Sequence, residues 1–273
     1  MIQVKRGPEP NELVDARNKQ LPKIRALGRD PFSNEISREY AVVAEALCIA
    51  QHYKCCYCEY RIVKAFNDVE HYRPKGSANR KPGSNDNHGY WWLAYTWENL
   101  LFACNVCNRS SKNDLFPLKL TSVAMRAEDI APCNEMPLLI DPSSTVNPVE
   151  HIQYCYYAKA GEVGYWWAEP RNGSLLGLYT IDVCDLNRKS LREMRGYHIR
   201  MNIACDIELI NREMVRRDPV ELNYHFKRAV AKLDPQMEFA ALTYDAFRFY
   251  VDEKILEEII GHGWPKPSEI CLA

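Results

Sequence analysis

The 273 residues contain no apolar run approaching the roughly 18 to 20 residues that a membrane span requires. The opening stretch MIQVKRGPEPNEL has no apolar h-region either, so the chain is read as soluble, unexported and cytoplasmic. Net charge is nearly missing as well: 35 Lys and Arg against 36 Asp and Glu leave −1. That balance excludes attraction of nucleic acid by the molecule as a whole and leaves the task to local patches. Residues 188–232 are locally basic and residues 233–273 locally acidic, which reads first as two solvated helix faces. What remains is ordinary globular composition, 47% hydrophobic and 26% charged, at a length suited to one or two domains.

Cysteine is the exception, and eleven of them cannot all pair. Four form two Cys-x-x-Cys pairs, Cys55/Cys58 and Cys104/Cys107, which in an unexported chain points to metal rather than disulfides. Zinc takes four tetrahedral thiolates, and each knuckle supplies two from one tight turn. A closed site of that kind has no open position for water, so it should hold the fold without doing chemistry. Cys48, Cys56, Cys133, Cys155, Cys184, Cys205 and Cys271 lack such partners and read as small buried hydrophobes.

Apolar spacing at Ile36, Tyr40, Val43, Leu47 and Ala50 predicts one helix face over residues 33–53. Residues 61–72 read as short extended segments stopped by Pro74, and residues 75–88 as a flexible polar surface loop. Tyr90, Trp91, Trp92, Tyr95 and Trp97 are predicted core aromatics. The segment NVCNRSSKND should begin a helix, a proline-rich irregular stretch follows, and a strand is predicted over residues 152–157. The last third is helical. One face is read at Leu191, Met194, His198, Met201, Cys205 and Leu209, with helix starts at Asp218-Pro219 and Asp234-Pro235. A final helix carries Phe247, Val251, Ile255 and Ile259 and closes at Gly261.

Between the knuckles, which are 45 residues apart, lie DVEHYRPK and WENLLFACNVCN. The order Glu70-His71, Asn99, Asn108 inside a four-cysteine frame resembles the HNH endonuclease family over residues 55–118. The resemblance implies an α+β fold, a ββα-metal core with zinc knuckles wrapped by N- and C-terminal helices. It divides the chain into residues 1–54, helical; 55–118, nuclease core; 119–185, irregular with short strands; and 186–273, helical. It implies His71 as the base that deprotonates water, Glu70 and Asn108 as ligands of a catalytic Mg²⁺ or Mn²⁺, and Asn99 as the residue that ties the loop and holds the base. Asp68, two positions before Glu70, is the reserve ligand. Adjacent strand residues alternate in direction, so Glu70 and His71 can serve one site only where the strand ends or bends. A histidine near its free pKa of about 6.5 suits the base role and predicts loss of activity in acid. Arg73, Lys75 and Lys112 are candidate phosphate contacts, against an equal reading as plain solvated cations.

The wider set EHYRPK, GYWWLAYTWENLLFACNVCN, FPL, LIDP and GLYTIDVCDLNRKSLREMR is similar to the PtuB-like HNH nucleases of Septu and retron-linked anti-phage systems. That similarity implies a DNA substrate and a PtuA-like ABC-type ATPase partner. Cleavage of RNA, transfer RNA included, and a non-catalytic zinc-containing binding module stay open as alternatives.

Overall fold

Two four-residue strands, β1 (Asp68–His71) and β2 (Leu100–Ala103), pair antiparallel with Asp68 opposite Ala103 and His71 opposite Leu100. The computed structural model describes residues 1–127, 129, 134–160 and 164–270. All four β2 residues are buried and so are three of β1, which is why LLFA reads as a continuous apolar run rather than an alternation. A two-stranded pair is marginal alone, and elements from the N-terminal part of the chain cover this one. From the N-terminal side come α1 (Asn11–Arg25), 3₁₀ turns at Ser33–Glu35 and Arg38–Val43, and α2 (Ala44–Ala50). The single helix predicted over residues 33–53 is therefore broken. Its stripe survives, with Ile36, Tyr40, Val43 and Leu47 buried, because burial needs the apolar spacing and not an unbroken ladder.

The polar segment 75–88, expected as a surface loop, folds inward on Arg80. That buried guanidinium donates to the Tyr90 hydroxyl and to the carbonyls of Ala78, Asp86 and His88. One arginine thus satisfies the backbone acceptors that a polar composition would have left to water. Gly89 closes the segment where a Cβ would stand 2.4 Å from the Lys75 carbonyl oxygen. Tyr90, Tyr95 and Trp97 are buried, and Trp91 and Trp92 are half-buried against the core.

After β2 the chain winds into a π-helical segment, Val106–Lys112, where a helix start was predicted. A second antiparallel pair follows, β3 (Ile152–Tyr157) and β4 (Tyr165–Pro170). Next come α3 (Leu175–Val183), α4 (Lys189–His198), a π-helical turn at Ile199–Ile203 and α5 (Ala204–Arg216). The buried face here is Leu191, Arg195, His198, Ile199, Ile203, Ile207 and Ile210, while Met194, Met201 and Cys205 are exposed. The predicted stripe drifted off it because a π turn adds a residue per turn and because Arg195 was not counted as a core residue. Of the other unpaired cysteines, Cys48, Cys56 and Cys184 are buried and Cys155 is half-buried; Cys133 and Cys271 lie outside the described residues.

α6 (Pro219–Ala231) starts as predicted, with Asp218 accepting the N–H groups of Val220 and Glu221. Asp234-Pro235 opens only a turn, its carboxylate taken by the Gln236 N–H at 2.7 Å. The predicted final helix is two, α7 (Ala240–Tyr250) and α8 (Glu253–Ile260), split at Asp252, which caps the second. Gly261 ends α8 at φ +78°. The architecture is α+β, helices and two small sheets with a buried four-cysteine cluster. Among the described residues no helix is long and apolar enough to cross a membrane.

Candidate active site and metal centre

Cys55, Cys58, Cys104 and Cys107 bring their sulfurs within 4.8 Å of one another, all buried. The first pair flanks the turn leading toward β1, and the second brackets the exit of β2 into the helical segment, so both knuckles meet at one end of the small sheet, where Asp68 pairs with Ala103. Hydrogen bonds from Cys107, Cys55 and Cys58 pull the Cys104 thiol far below its ordinary value. Those same bonds push Cys58 and Cys107 up, and burial pushes Cys55 up. Four buried sulfurs in that state ionise together only if a cation compensates them, and four thiolates are the donor set of structural zinc. Two arginines unforeseen in the sequence fit the same charge balance. Arg188 Nη1 lies 3.5 Å from Cys107 Sγ, and the buried Arg195 guanidinium, its pKa lowered by desolvation but supported by Tyr154 and Cys58, has no hydrogen-bond partner among the described residues. The nearest signal was the run NRKSLREMR, whose charges look solvated until the helix is docked.

A cleft of about 620 Å³ opens beside this cluster. It is lined by Asp68, Glu70 and His71 from β1, Lys75 from the loop after Pro74, and Asn108 from the helical segment. Sequence neighbours in two separate motifs thus meet because β1 and β2 pair in register and the Cys104–Cys107 knuckle turns the chain back across them.

His71 is buried, its ring edge-on to Tyr40 at 4.5 Å. Its Nε2 lies 3.0 Å from the Ala94 carbonyl oxygen. A carbonyl only accepts, so Nε2 carries the proton and Nδ1 keeps the lone pair. Burial, reinforced by Lys75, holds its pKa down at about 3, so the ring stays neutral well below the free-histidine range. The acid loss expected near the free value is displaced downward accordingly.

The neighbouring Glu70 carboxylate sits 2.6 Å from Lys112 Nζ and accepts the Tyr57 hydroxyl at 3.2 Å. Desolvation raises its pKa against the opposing pull of Lys112 and Tyr57. Lys112 also donates to the His71 carbonyl at 3.0 Å and is fully buried, which corrects its reading as a phosphate contact. Arg73 is likewise committed, its Nε 2.8 Å from Glu135 Oε2 among the rings of Tyr72, Tyr90 and Phe116, and it does not line the cleft. Of the three candidate phosphate contacts only Lys75 reaches the cleft, with its ammonium over the Tyr40 ring at 5.6 Å. Arg38 and Arg109 supply the rim charge instead. Arg109 grips Asp68 with two hydrogen bonds of 2.6 and 2.7 Å, and Arg38 lies 3.4 Å from the same carboxylate.

Asn99 is buried behind the cleft. Its Oδ1 accepts the Arg73 N–H at 2.8 Å, and its Nδ2 donates to the carbonyls of Arg73 and Leu93 at 3.1 and 3.2 Å. It thereby joins the strand end carrying His71 to the turn carrying Ala94, the partner of the histidine ring. Asn108 is half-buried, and its backbone N–H bonds the Cys104 carbonyl at 2.9 Å, fixing it to the knuckle.

Fold and site together define an α+β protein with a four-cysteine cluster and a cleft that holds a neutral histidine, two carboxylates and an amide. Over 218 residues the chain is 31% identical to the Septu protein PtuB of Bacillus mycoides (strain KBAB4), an alignment covering 77% of this chain and 69% of that protein. The chain belongs to the Septu PtuB family. It is also 32% identical over 144 residues to the Septu protein PtuA of the same strain, covering 52% of this chain and 19% of that longer one. No family model matches the chain, and no solved structure does.

Proposed function

We propose that the chain is a metal-dependent HNH endonuclease that hydrolyses phosphodiester bonds, DNA foremost, as the effector of an anti-phage Septu system working with a PtuA-like ABC-type ATPase. The observation that carries this reading is the state of His71: ring neutral, Nε2 tied to a backbone carbonyl and Nδ1 left as the base, in a cleft framed by β1, β2 and the helical segment. A fixed neutral imidazole keeps its lone pair open to water near neutral pH, although burial makes it a weaker base than a free histidine. The PtuB and PtuA similarities support the Septu setting.

In this mechanism His71 Nδ1 accepts the proton of the attacking water, and Asn99 keeps the imidazole placed by joining the two backbone segments that hold it. Glu70 and Asn108 would hold the Mg²⁺ or Mn²⁺, with Asp68 in reserve, since a buried carboxylate with a raised pKa and an amide on the same cleft are hard oxygen donors. When bound, such an ion supplies neutralisation of the scissile phosphate and leaving oxygen. For Glu70 to serve, Lys112 must share or yield the carboxylate; for Asp68 to serve, Arg109 must do so. Lys75, Arg38 and Arg109 meet the phosphate backbone at the cleft mouth.

The test uses the purified chain, alone and with a PtuA-like ATPase, on duplex DNA, single-stranded DNA and RNA with Mg²⁺ or Mn²⁺. Metal-dependent cutting that His71→Ala abolishes supports the proposal, and preference for RNA changes only the substrate. Absence of cutting under every condition would leave a zinc-containing binding module.

A further inference from the structure

The β3–β4 hairpin presents two unlike sides. Ile152, Tyr154, Trp166 and Ala168 are buried. The cross-strand pairs Cys155 with Trp167 and Tyr157 with Tyr165 belong to the other side, where all four residues keep solvent exposure. There the Tyr157 and Tyr165 rings stack at 6.2 Å with planes 29° apart, and Trp167 meets Tyr165 edge-on at 5.9 Å. Arg192 of α4 lays its guanidinium over both, 5.0 Å from Tyr165 and 5.2 Å from Trp167. Its Nε has no hydrogen-bond partner among the described residues, and no carboxylate there pairs with it. Lys189, one turn earlier on the same helix face, is 85% exposed, with its ammonium 3.9 Å from the likewise solvated Glu193 carboxylate. Glu169, the acid on this side, accepts the Tyr157 hydroxyl.

Three aromatic side chains kept at the surface, with a cation held by ring faces rather than by an acid, form a surface for something flat and anionic. An unpaired base offers a π-face to a tyrosine or tryptophan, and its phosphate is drawn to arginine and lysine. A duplex keeps its base faces stacked within itself and offers none. We infer that the outward side of the β3–β4 hairpin, Tyr157, Tyr165 and Trp167 with Arg192 and Lys189, is a stacking platform for single-stranded nucleic acid. The helix that carries Arg192 is preceded by Arg188, in contact with Cys107, and Cys107 adjoins Asn108 in the cleft, so platform and cleft are joined through one knuckle. The inference rests on the nuclease reading for its purpose, since it names the form of the strand delivered to the cleft; the binding itself is read without cleavage.

The experiment is fluorescence anisotropy of the full chain, without added Mg²⁺ or Mn²⁺, with labelled single-stranded DNA and RNA of about 12 nucleotides and the corresponding duplex. Single strands should bind more tightly than duplex. Trp167→Ala should weaken single-strand binding by about tenfold, with most of it regained in Trp167→Phe, because stacking needs a ring rather than an indole. Arg192→Gln should also flatten the salt dependence of binding. Unchanged single-strand affinity in Trp167→Ala with an unchanged circular dichroism spectrum overturns the inference, as does tighter binding of duplex. Protection of this face by an ATPase partner with no effect of Trp167→Ala on oligonucleotides assigns the surface to a protein and overturns it equally. Platform-dependent binding by a chain that never cuts leaves this inference standing while the nuclease reading falls; His71-dependent cutting with unaltered binding by Trp167→Ala does the reverse.

Discussion

The Lys112 ammonium stands 2.6 Å from the Glu70 carboxylate, and both side chains are out of solvent. Removing one partner of such a pair leaves a buried charge alone, at a cost of roughly 3–5 kcal/mol, whereas replacing both is far cheaper. Lys112→Met should therefore lower unfolding free energy by that amount in urea titration, and Glu70→Gln combined with Lys112→Met should recover most of it. A Lys112→Met protein as stable as the parent would mean the pair does not form.

His71→Ala should reduce cleavage by at least about a hundredfold, the lower range for a positioned general base. Zinc content by elemental analysis and the far-ultraviolet circular dichroism spectrum should stay as in the parent, since His71 is no part of the four-sulfur cluster.

Asn99→Ala leaves the Arg73 N–H, the Arg73 carbonyl and the Leu93 carbonyl without their partner. Each buried unsatisfied group costs about 1–3 kcal/mol, so a clear fall in thermal midpoint is expected. Because the lost bonds position His71 rather than touch the nucleic acid, kcat should fall while KM changes little. The opposite split would place Asn99 in substrate binding.

Zinc should be found at one ion per chain, and Cys58→Ser should lose both the metal and the cooperative unfolding transition. Arg188→Met removes the cation beside Cys107, and zinc affinity in a competition assay with a chelating dye should drop about tenfold, the scale of second-layer effects on metal sites. Equal affinity would show that Arg188 serves only the Cys184 and Asp185 carbonyls it also meets.

Stability should decline as pH falls below about 6.5. Burial holds His71 at about 3 and His198 at about 4, so both stay neutral in the folded chain while the unfolded chain takes up their protons. Their contribution is full above the free-histidine value and is lost progressively toward those folded values. Each histidine costs about 1.4 kcal/mol at one pH unit below 6.5. Replacing His198 by Gln should shallow the decline measured in urea titrations between pH 7 and 5.

Much of the site was legible because its chemistry sits in short contiguous words. Cys-x-x-Cys twice, Glu-His before a proline, and an asparagine after the last cysteine mark candidate donors and a candidate base whatever the packing. The Asp218 cap and the strand over 152–157 were legible for a similar reason, since capping and alternation are local. The phosphate contacts were not. Arg73, Lys75 and Lys112 look alike in sequence, and only docking shows that Glu135 claims the first and Glu70 the third, while Lys75 is left at the cleft.

The sequence by itself determined the four sulfurs, the acid–histidine pair, the two asparagines and the α+β alternation, because each depends on residue type and near-neighbour spacing. Tertiary structure alone decided the electrostatics: which acid meets which cation, how far burial depresses His71, and that Arg188 and Arg195 lie beside the thiol cluster. Those quantities depend on distances across tens of residues and on the loss of water, and no local spacing encodes either.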